Sequence, residues 1–425
     1  MSKSSISYSG VGRMAGRPVI TDIMKVALEN PEILSLAAGF TDTHSLPVSF
    51  VRDETVALCS SGGAPEYLQY GTTIGRPGLR RLVARRLSRA DGHQNRSCHP
   101  DNVMITNGSQ QALYLAMQVL CDPGDIILVE NPSYFVFLEL LKGLGIEPLG
   151  IPVDSDGRID PDGFAVLLKS LRGENRLSRV KGVYLDSWYS NPSTRCLDNG
   201  VKEAIADVLK SVDLRVPILE DGAYRELYFR TPHSSSSIFA LQAFDEFPRL
   251  FFGTFDKPFA SGLKIGFVIC DHAGLFRKML NVKGHHDFGS SNYTQAIIQN
   301  ALENGSFDRQ LATVRSRYKE KMEILHGTML EEGMRGHGWT WSKPDGGMYL
   351  WVRGPGNMDL GKDSLFFKSA VEEGVIYIPG DLCFASEGPT HYMRLSFGVL
   401  EREDLIRAGK RLVKVVKQFS GPLPV

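Results

Sequence analysis

Short apolar runs alternate with helical patterns between about residue 100 and residue 270, and this alternation is what most constrains the fold. Seven runs have the length and composition of buried strands: NVMIT, DIILVE, IEPLGIPV, KGVYLD, VPILED, RLFFGTF and KIGFVIC. Strands that are separated by helices need crossover connections, which give a parallel sheet covered on both faces. The sequence therefore predicts an α/β fold with a mostly parallel seven-stranded sheet.

The end of the chain has a different pattern, and 425 residues are too many for one simple core. The runs GGMYLWV, GVIYIP and HYMRLSFG are short strands with helices between them, and an amphipathic helix through Leu405 and Val416 follows. We expect residues 1–60 to form an N-terminal arm and part of a small domain. Residues 61–310 then form the large domain, and residues 311–425 form the C-terminal small α+β domain.

Composition excludes several classes of protein. Lys+Arg and Asp+Glu both number 48, and this zero net charge argues against nucleic-acid binding. The six cysteines include no C-x-x-C pair, which favours reduced thiols over a zinc site or a disulfide framework. The sequence shows neither a signal-peptide h-region nor an apolar run of about 18 residues. We therefore expect a cytoplasmic protein with no membrane partner.

Active sites of open α/β sheets lie beyond the carboxyl ends of the strands, so the residues that follow each run are the candidates. After NVMIT, Gly108 permits a tight turn, and the backbone N–H groups at Ser109 and Gln110 can bind an anion. An ordinary serine N-cap is the alternative. After DIILVE, Tyr134 either stacks on a flat ligand ring or packs in the core.

Later strands deliver further polar residues. Asn191 presents an amide after its strand, and Asp221 directly follows a buried run, where an unpaired carboxylate is unfavourable. Asp221 therefore needs a donor such as a protonated ring nitrogen, unless it is a helix N-cap; Tyr224 lies near the same rim. Lys257 follows the run RLFF, and a lysine in a desolvated site forms Schiff bases with carbonyl compounds. A surface lysine is the alternative.

Arg394 lies inside the hydrophobic run HYMRLSFG. Its guanidinium would bind a carboxylate through two parallel hydrogen bonds, or it forms a structural salt bridge. The motif GHHDF contains His285, His286 and Asp287, but adjacent residues point apart and do not share a metal. We predict no metal site, and a loop at the pocket or at a dimer interface.

The order and spacing of these segments resemble the fold type I pyridoxal 5′-phosphate (PLP) enzymes, specifically the class I/II aminotransferase family. The resemblance covers nearly the whole chain. Its segments are LSLAAGF, LQYGTTIGRPGLR, NGSQQAL, NPSYF, NPST, EDGAY, GTFDKPFASGLKIG, PDGGMYLWV and MRLSFG. It implies a PLP cofactor, amino acid and 2-oxo acid substrates, and a homodimer with shared active sites.

Carried over position by position, the resemblance assigns Lys257 as the Schiff-base lysine and Asp221 as the carboxylate that keeps the pyridine nitrogen protonated. Asn191 and Tyr224 match the groups that hydrogen-bond the cofactor's phenolic oxygen, and Tyr134 matches the residue stacked on its ring. The catalytic residues implied are thus Lys257, Asp221 and Tyr224.

The resemblance also implies a phosphate site and a substrate site. The phosphate residues are Ser109, Gln110, Thr254 and Lys264, with Tyr70 reaching the phosphate of the neighbouring subunit. The substrate carboxylate is bound at Gly39, Asn191 and Arg394.

Three positions depart from the family pattern. Asp256 stands before the lysine where Ser or Thr is usual, Lys264 replaces the more usual arginine, and NPST replaces NPTG. A carboxylate beside a phosphate would repel it, so we expect Asp256 either to turn away or to pair with Lys264.

The function that the resemblance implies is transfer of the amino group of an L-amino acid to a 2-oxo acid through a Lys257 Schiff base. The alternative on the same fold is PLP-dependent β- or γ-elimination, replacement, cyclisation or carbon–carbon bond formation in specialised biosynthesis. Transcription regulators with an aminotransferase-like domain are a further alternative, which the zero net charge disfavours. Trp188, Tyr189 and Phe288 either line an aromatic pocket or pack in the interior.

Overall fold

The computed structural model describes residues 6–92 and 98–419. The α-helices of these residues are α1 Gly10–Met14, α2 Val19–Glu29, α3 Val48–Ser60, α4 Ala64–Leu68, α5 Pro77–Ala90, α6 Gly108–Leu120, α7 Phe135–Gly143, α8 Pro161–Gly173, α9 Asn199–Ser211, α10 Ala273–His286, α11 Asn292–Glu303, α12 Ser306–Glu331, α13 Leu365–Glu372 and α14 Arg402–Phe419. The strands are β1 Leu34–Ser35, β2 Val103–Thr106, β3 Ile126–Val129, β4 Glu147–Gly150, β5 Val180–Asp186, β6 Ile218–Asp221, β7 Arg249–Thr254, β8 Gly266–Cys270, β9 Tyr349–Arg353, β10 Val375–Ile376, β11 Ile378–Pro379 and β12 Tyr392–Ser396. No described helix is both long enough and apolar enough to cross a membrane.

The central sheet has seven strands in the order β2-β8-β7-β6-β5-β3-β4. Neighbours from β7 to β4 run parallel, whereas β8 is antiparallel to both β7 and β2. Each strand coincides with one of the seven predicted apolar runs, so the mostly parallel seven-stranded sheet is confirmed. Because β5, β6 and β7 are parallel, their carboxyl ends meet at one edge of the sheet.

Both faces of this sheet are buried, which explains why its strands are apolar without alternation. Met104, Leu219 and Phe252 point to the face covered by α6, α7 and α10. Ile218 and Phe251, next to two of them in sequence, point to the opposite face, which α8 and α9 cover. Successive side chains of a strand point to opposite faces, so a sheet between two helical layers needs apolar residues at every position.

The C-terminal part of the chain builds a second, smaller sheet. Strands β11, β12 and β9 form it in that order and are antiparallel. Strand β1, from the N-terminal part, pairs in parallel with β10. These pairings bring the two ends of the chain together, while the domain boundaries at residues 60 and 310 remain a prediction.

A buried ionic cluster fixes the N-terminal segment that follows β1. Asp42 is fully buried, and its carboxylate contacts Arg317 and Lys321 on α12, with Lys321 Nζ 2.8 Å from Asp42 Oδ1. Glu401, just before α14, accepts from both cations, and the Lys321 contact is 3.0 Å long. These pairs lower the pKa of Asp42 against the effect of burial, so the cluster stays ionised.

The end of β2 and the start of β8 make the tightest backbone approach near the sheet edge. A Cβ atom on Gly266 would lie 2.4 Å from the carbonyl carbon of Gly108 and 2.5 Å from the backbone nitrogen of Ser109. Only a residue without a side chain fits there, because backbone atoms cannot yield as a flexible side chain can. Gly266 therefore sets the position of the first turn of α6.

We predict that Gly266→Ala destabilises the protein by about 1–3 kcal/mol, the usual range for overpacking a tight site. The added methyl group must push the start of α6 away from β8. Chemical denaturation measures the free energy of unfolding. Gly262→Ala is the matched control, because a Cβ atom there has nothing within 4 Å; equal stabilities of the two variants would contradict the prediction.

Candidate active site

Lys257 lies in a single π-helical turn, Asp256–Ala260, which directly follows β7. Its Nζ donates a hydrogen bond of 2.7 Å to the backbone oxygen of Gly39. A Cβ atom on Gly39 would lie 2.9 Å from the hydroxyl of Tyr349, so a residue with a side chain would crowd that hydroxyl. The lysine therefore points from the sheet edge towards the N-terminal segment, and the space between these two elements is the candidate cleft.

Arg394 is buried on β12 and is held by two hydrogen bonds. Nη1 donates to Asn191 Oδ1 at 2.9 Å, and Nη2 donates to the backbone oxygen of Ala37 at 2.7 Å. The guanidinium lies over the Tyr349 ring, 4.2 Å from its centroid, and Nε is buried without a partner among the described residues. The cleft thus contains a fixed cation with an unused donor, and no carboxylate of the described residues bonds to it.

Asp221 ends β6 and is buried in the same region. Its Oδ2 accepts from the Tyr184 hydroxyl and its Oδ1 accepts from the backbone N–H of Ala223, both at 2.9 Å. Burial raises the pKa of Asp221 to about 6. The donors to this carboxyl are neutral, and no lysine or arginine in the described part of the chain forms an ion pair with it, so a protonated ring nitrogen would complete its environment.

Two further buried carboxyls, which we did not predict, lie beside Asp221. Asp186 ends β5 and is the strand partner of Asp221; its Oδ2 accepts from the backbone N–H of Asn191 at 2.8 Å. Asp186 Oδ1 and Glu130 Oε1 are buried without a hydrogen bond from the described residues. Burial raises both pKa values, that of Glu130 to about 8. The strand-end position was the available signal, because Asp186 follows its apolar run as Asp221 does.

The start of α6 faces the residues that flank Lys257. Thr254 Oγ1 accepts from the backbone N–H of Asp256 at 3.0 Å, and Asp256 Oδ2 is 3.4 Å from Lys264 Nζ. Asp256 therefore pairs with Lys264, the second of the two expected arrangements. Its Oδ2 lies 3.0 Å from where Gly108 would carry a Cβ atom, and its Oδ1 is buried without a partner among the described residues.

Asp287 of the GHHDF motif holds the start of α6 in place through hydrogen bonds. Asp287 Oδ2 accepts from Lys283 Nζ at 2.6 Å, from Gln111 Nε2 at 2.7 Å and from Asn107 Nδ2 at 3.0 Å. The expectation of a loop was wrong for its two histidines, because they form the last turn of α10. The motif fixes the turn between β2 and α6.

The remaining predicted residues differ in how deeply they are buried. Tyr224 is buried in the cleft, with its hydroxyl 3.1 Å from that of Tyr349, which sequence reasoning did not single out. Tyr134 precedes α7, and Gln110 Oε1 is buried without a partner among the described residues. Tyr70 is 81% exposed, with its ring 5.6 Å from that of Phe288.

The suggested aromatic pocket does not form. Trp188 is enclosed between Lys202 and Arg225, at 4.1 and 4.3 Å from its ring centroid, and belongs to the core. Phe288 is 64% exposed, and the ring of Tyr189 packs beside Gly346. The packing interpretation therefore applies to Trp188 and Tyr189.

Comparisons with known proteins agree with this geometry. The profile of the family described as aminotransferase class I and II matches residues 31–412. The chain belongs to this family. Aromatic-amino-acid aminotransferase 1 of Thermococcus litoralis is 31% identical over 403 residues, which are 94% of this chain and 91% of that protein.

Solved structures of other aminotransferases have the same fold as this chain. A multiple substrate aminotransferase from Thermococcus profundus has a TM-score of 0.84 and 29% identity, with 97% of each chain covered. The α-aminoadipate aminotransferase LysN from Thermus thermophilus was solved with N-(5′-phosphopyridoxyl)-L-leucine. It has a TM-score of 0.80 and 27% identity, again with 97% of each chain covered.

The raised carboxyl pKa values predict how the stability of the cofactor-free aminotransferase depends on pH. A folded-state pKa of about 8 for Glu130 exceeds the value near 4 of an unfolded chain. The folded state therefore binds more protons between these values, and stability falls as pH rises through this window. We expect Glu130→Gln to flatten the decline between pH 5 and pH 8, measured by urea denaturation. An unchanged slope would show that Glu130 does not titrate there.

Proposed function

We propose that this aminotransferase moves the amino group of an L-amino acid to a 2-oxo acid, with PLP held at Lys257. The observation that carries this proposal is the convergence of an amine, an arginine and buried carboxyls in one cleft. Lys257 contacts Gly39, Gly39 contacts Tyr349, and Tyr349 lies under the Arg394 guanidinium.

The residues of the cleft fit PLP in chemical terms. Asp221, buried without a cation, suits a protonated pyridine nitrogen, and Lys257 supplies the amine for a carbonyl group. The first turn of α6 offers backbone N–H groups at Ser109 and Gln110 to a phosphate. Thr254 and Lys264 lie beside that turn, around Asp256.

When bound, PLP supplies an electron sink for the charge that develops at the substrate α-carbon. The protein residues provide binding and proton transfer around it. With PLP bound, Lys257 Nζ would remove the α-proton and return it to the 4′-carbon of the cofactor, because an amine can serve as both base and acid. Asp221 would hold the proton on the ring nitrogen, and Tyr224 would donate to the phenolic oxygen.

Arg394 orients the substrate through its carboxylate. The guanidinium is already fixed by Asn191 and Ala37, so little conformational entropy is lost when an anion binds. Nε remains available as a donor. The backbone N–H of Asn191 also donates a hydrogen bond to the Asp186 carboxylate, which keeps the amide at the strand edge.

We also propose that the enzyme works as a homodimer in the cytoplasm. Tyr70 and Leu68 are 81% and 72% exposed, and neighbouring exposed apolar side chains can form part of an interaction surface. In the dimer, Tyr70 would reach the phosphate of the other subunit. All six cysteines are free thiols, as expected of a reducing compartment.

We predict that Lys257→Ala removes the visible absorbance of bound PLP and abolishes turnover, because the variant lacks the amine that forms the Schiff base. Wild-type enzyme mixed with single L-amino acids should convert its cofactor stoichiometrically to the pyridoxamine form and release a 2-oxo acid. Absorbance and chromatography of the products measure both. Release of a leaving group with the cofactor unchanged would refute transamination, and a Lys257→Ala protein that kept its absorbance would refute the site.

A further prediction concerns Asp256 in the proposed phosphate site. Burial raises the pKa of the Asp256 carboxyl, although the charges of Lys264 and Lys257 lower it. As pH rises, the carboxyl ionises, the phosphate loses its second proton near pH 6, and the two anions repel each other more strongly. The affinity of the wild type for PLP should therefore fall as pH rises from 5.5 to 8.5.

Asp256→Ser and Asp256→Asn should bind PLP about threefold to tenfold more tightly than the wild type at pH 8.5, with a smaller difference at pH 5.5, where the phosphate carries less charge. Titration of cofactor-free protein with PLP measures the dissociation constants. The asparagine variant keeps the shape of the side chain and removes only its charge. If neither variant changes the pH dependence, Asp256 does not face the phosphate.

A further inference from the structure

The hydroxyl of Tyr349 lies at the centre of the proposed active site, although the resemblance gives this residue no role. The side chain is 1% exposed, and its hydroxyl is 3.1 Å from the Tyr224 hydroxyl. It also lies against Gly39, whose backbone oxygen accepts from Lys257. Three proposed functional groups, Lys257, Tyr224 and Arg394, thus surround one phenol.

The charges around the two phenols differ. Burial raises the pKa of Tyr349, but the positive charges of Arg394 and Lys257 lower it, and its pKa is below the usual value. Burial raises the pKa of Tyr224 well above its usual value. The distance between the two hydroxyls allows either one to donate. A tyrosine hydroxyl has a single proton, so a Tyr224 that donates to the phenolic oxygen of PLP must accept from Tyr349.

We propose that Tyr349 is a positioning residue that donates its hydrogen bond to the Tyr224 oxygen, which leaves the Tyr224 proton for the phenolic oxygen of PLP. This inference rests on the proposed function, because it requires PLP beside Tyr224. The chain of donors then runs from Tyr349 through Tyr224 to the cofactor. Tyr349 acts through Tyr224 and needs no contact with the cofactor.

Packing of the Tyr349 ring does not explain why this residue carries a hydroxyl group. A phenylalanine at this position would keep the ring under the Arg394 guanidinium, which lies 4.2 Å from the ring centroid. It would remove the only hydrogen-bond partner that the Tyr224 hydroxyl has within the described residues. The buried Tyr224 oxygen would then have no hydrogen-bond donor among the described residues, although buried hydrogen-bonding groups normally have partners.

The expected effect is on the acidity of bound PLP. A hydrogen bond from Tyr224 favours the deprotonated cofactor, in which the phenolic oxygen carries negative charge without a neighbouring proton. When Tyr349 donates to Tyr224, that bond becomes stronger because consecutive hydrogen bonds polarise one another. Loss of the Tyr349 hydroxyl should therefore raise the pH midpoint of the cofactor's visible absorbance by about half to one pH unit.

The test is a spectrophotometric pH titration of four PLP-loaded proteins: wild type, Tyr349→Phe, Tyr224→Phe and the double variant. We expect Tyr349→Phe to raise the midpoint and the double variant to match Tyr224→Phe, because Tyr349 has no effect once Tyr224 cannot relay it. Tyr377→Phe is the matched control. It removes another buried hydroxyl, which donates to the Leu360 backbone oxygen at 3.0 Å, and should leave the midpoint unchanged.

Two outcomes would overturn the inference. An unmoved midpoint in Tyr349→Phe would show that the hydroxyl does not influence the cofactor. Shifts that add in the double variant would show that Tyr349 acts on Lys257 directly and not through Tyr224. A wild type without a visible cofactor band would instead refute the proposed function, so the two failures are distinguishable.

Discussion

Parallel hydrogen bonding between β5, β6 and β7 is the constraint on which the cleft depends. The register pairs Asp186 with Asp221 at the strand ends, and Thr254 ends the next strand beside them. Like charges at neighbouring strand ends repel, so the sheet edge keeps these carboxyls buried only by raising their pKa values and by surrounding them with N–H and O–H donors. Under the proposed function, this edge would receive the protonated ring of the cofactor.

The seven strands could be predicted because short apolar runs between helical patterns leave few alternatives for an α/β sheet. The strand-end rule also located Asn191, Asp221 and Lys257, since their positions follow from topology. It missed Asp186, although that residue ends its strand in the same way. Sequence left two arrangements for Asp256, because the direction of a carboxylate depends on the three-dimensional position of Lys264. Tyr349 carried no local signal, since its hydroxyl partner is 125 residues away in the chain.

The N-terminal segment is as much a part of the cleft as the strand ends. Gly39 accepts from Lys257, and three residues later Asp42 is fixed by the cations of α12. Because Asp42 is fully buried, loss of one cation would leave an unpaired charge in the interior, which is strongly unfavourable. The ionic cluster therefore limits how far Gly39 can move from the lysine, which keeps that amine aligned before any substrate arrives.

Arg394 links parts of the chain that are remote in sequence. Its two hydrogen bonds reach Ala37 and Asn191, at sequence separations of 357 and 203 residues. No fragment that lacks one of these segments can reproduce the arrangement, so the cleft is a property of the complete polypeptide. A ligand that binds this arginine only in the folded protein would therefore add its binding free energy to the resistance of the whole fold to unfolding.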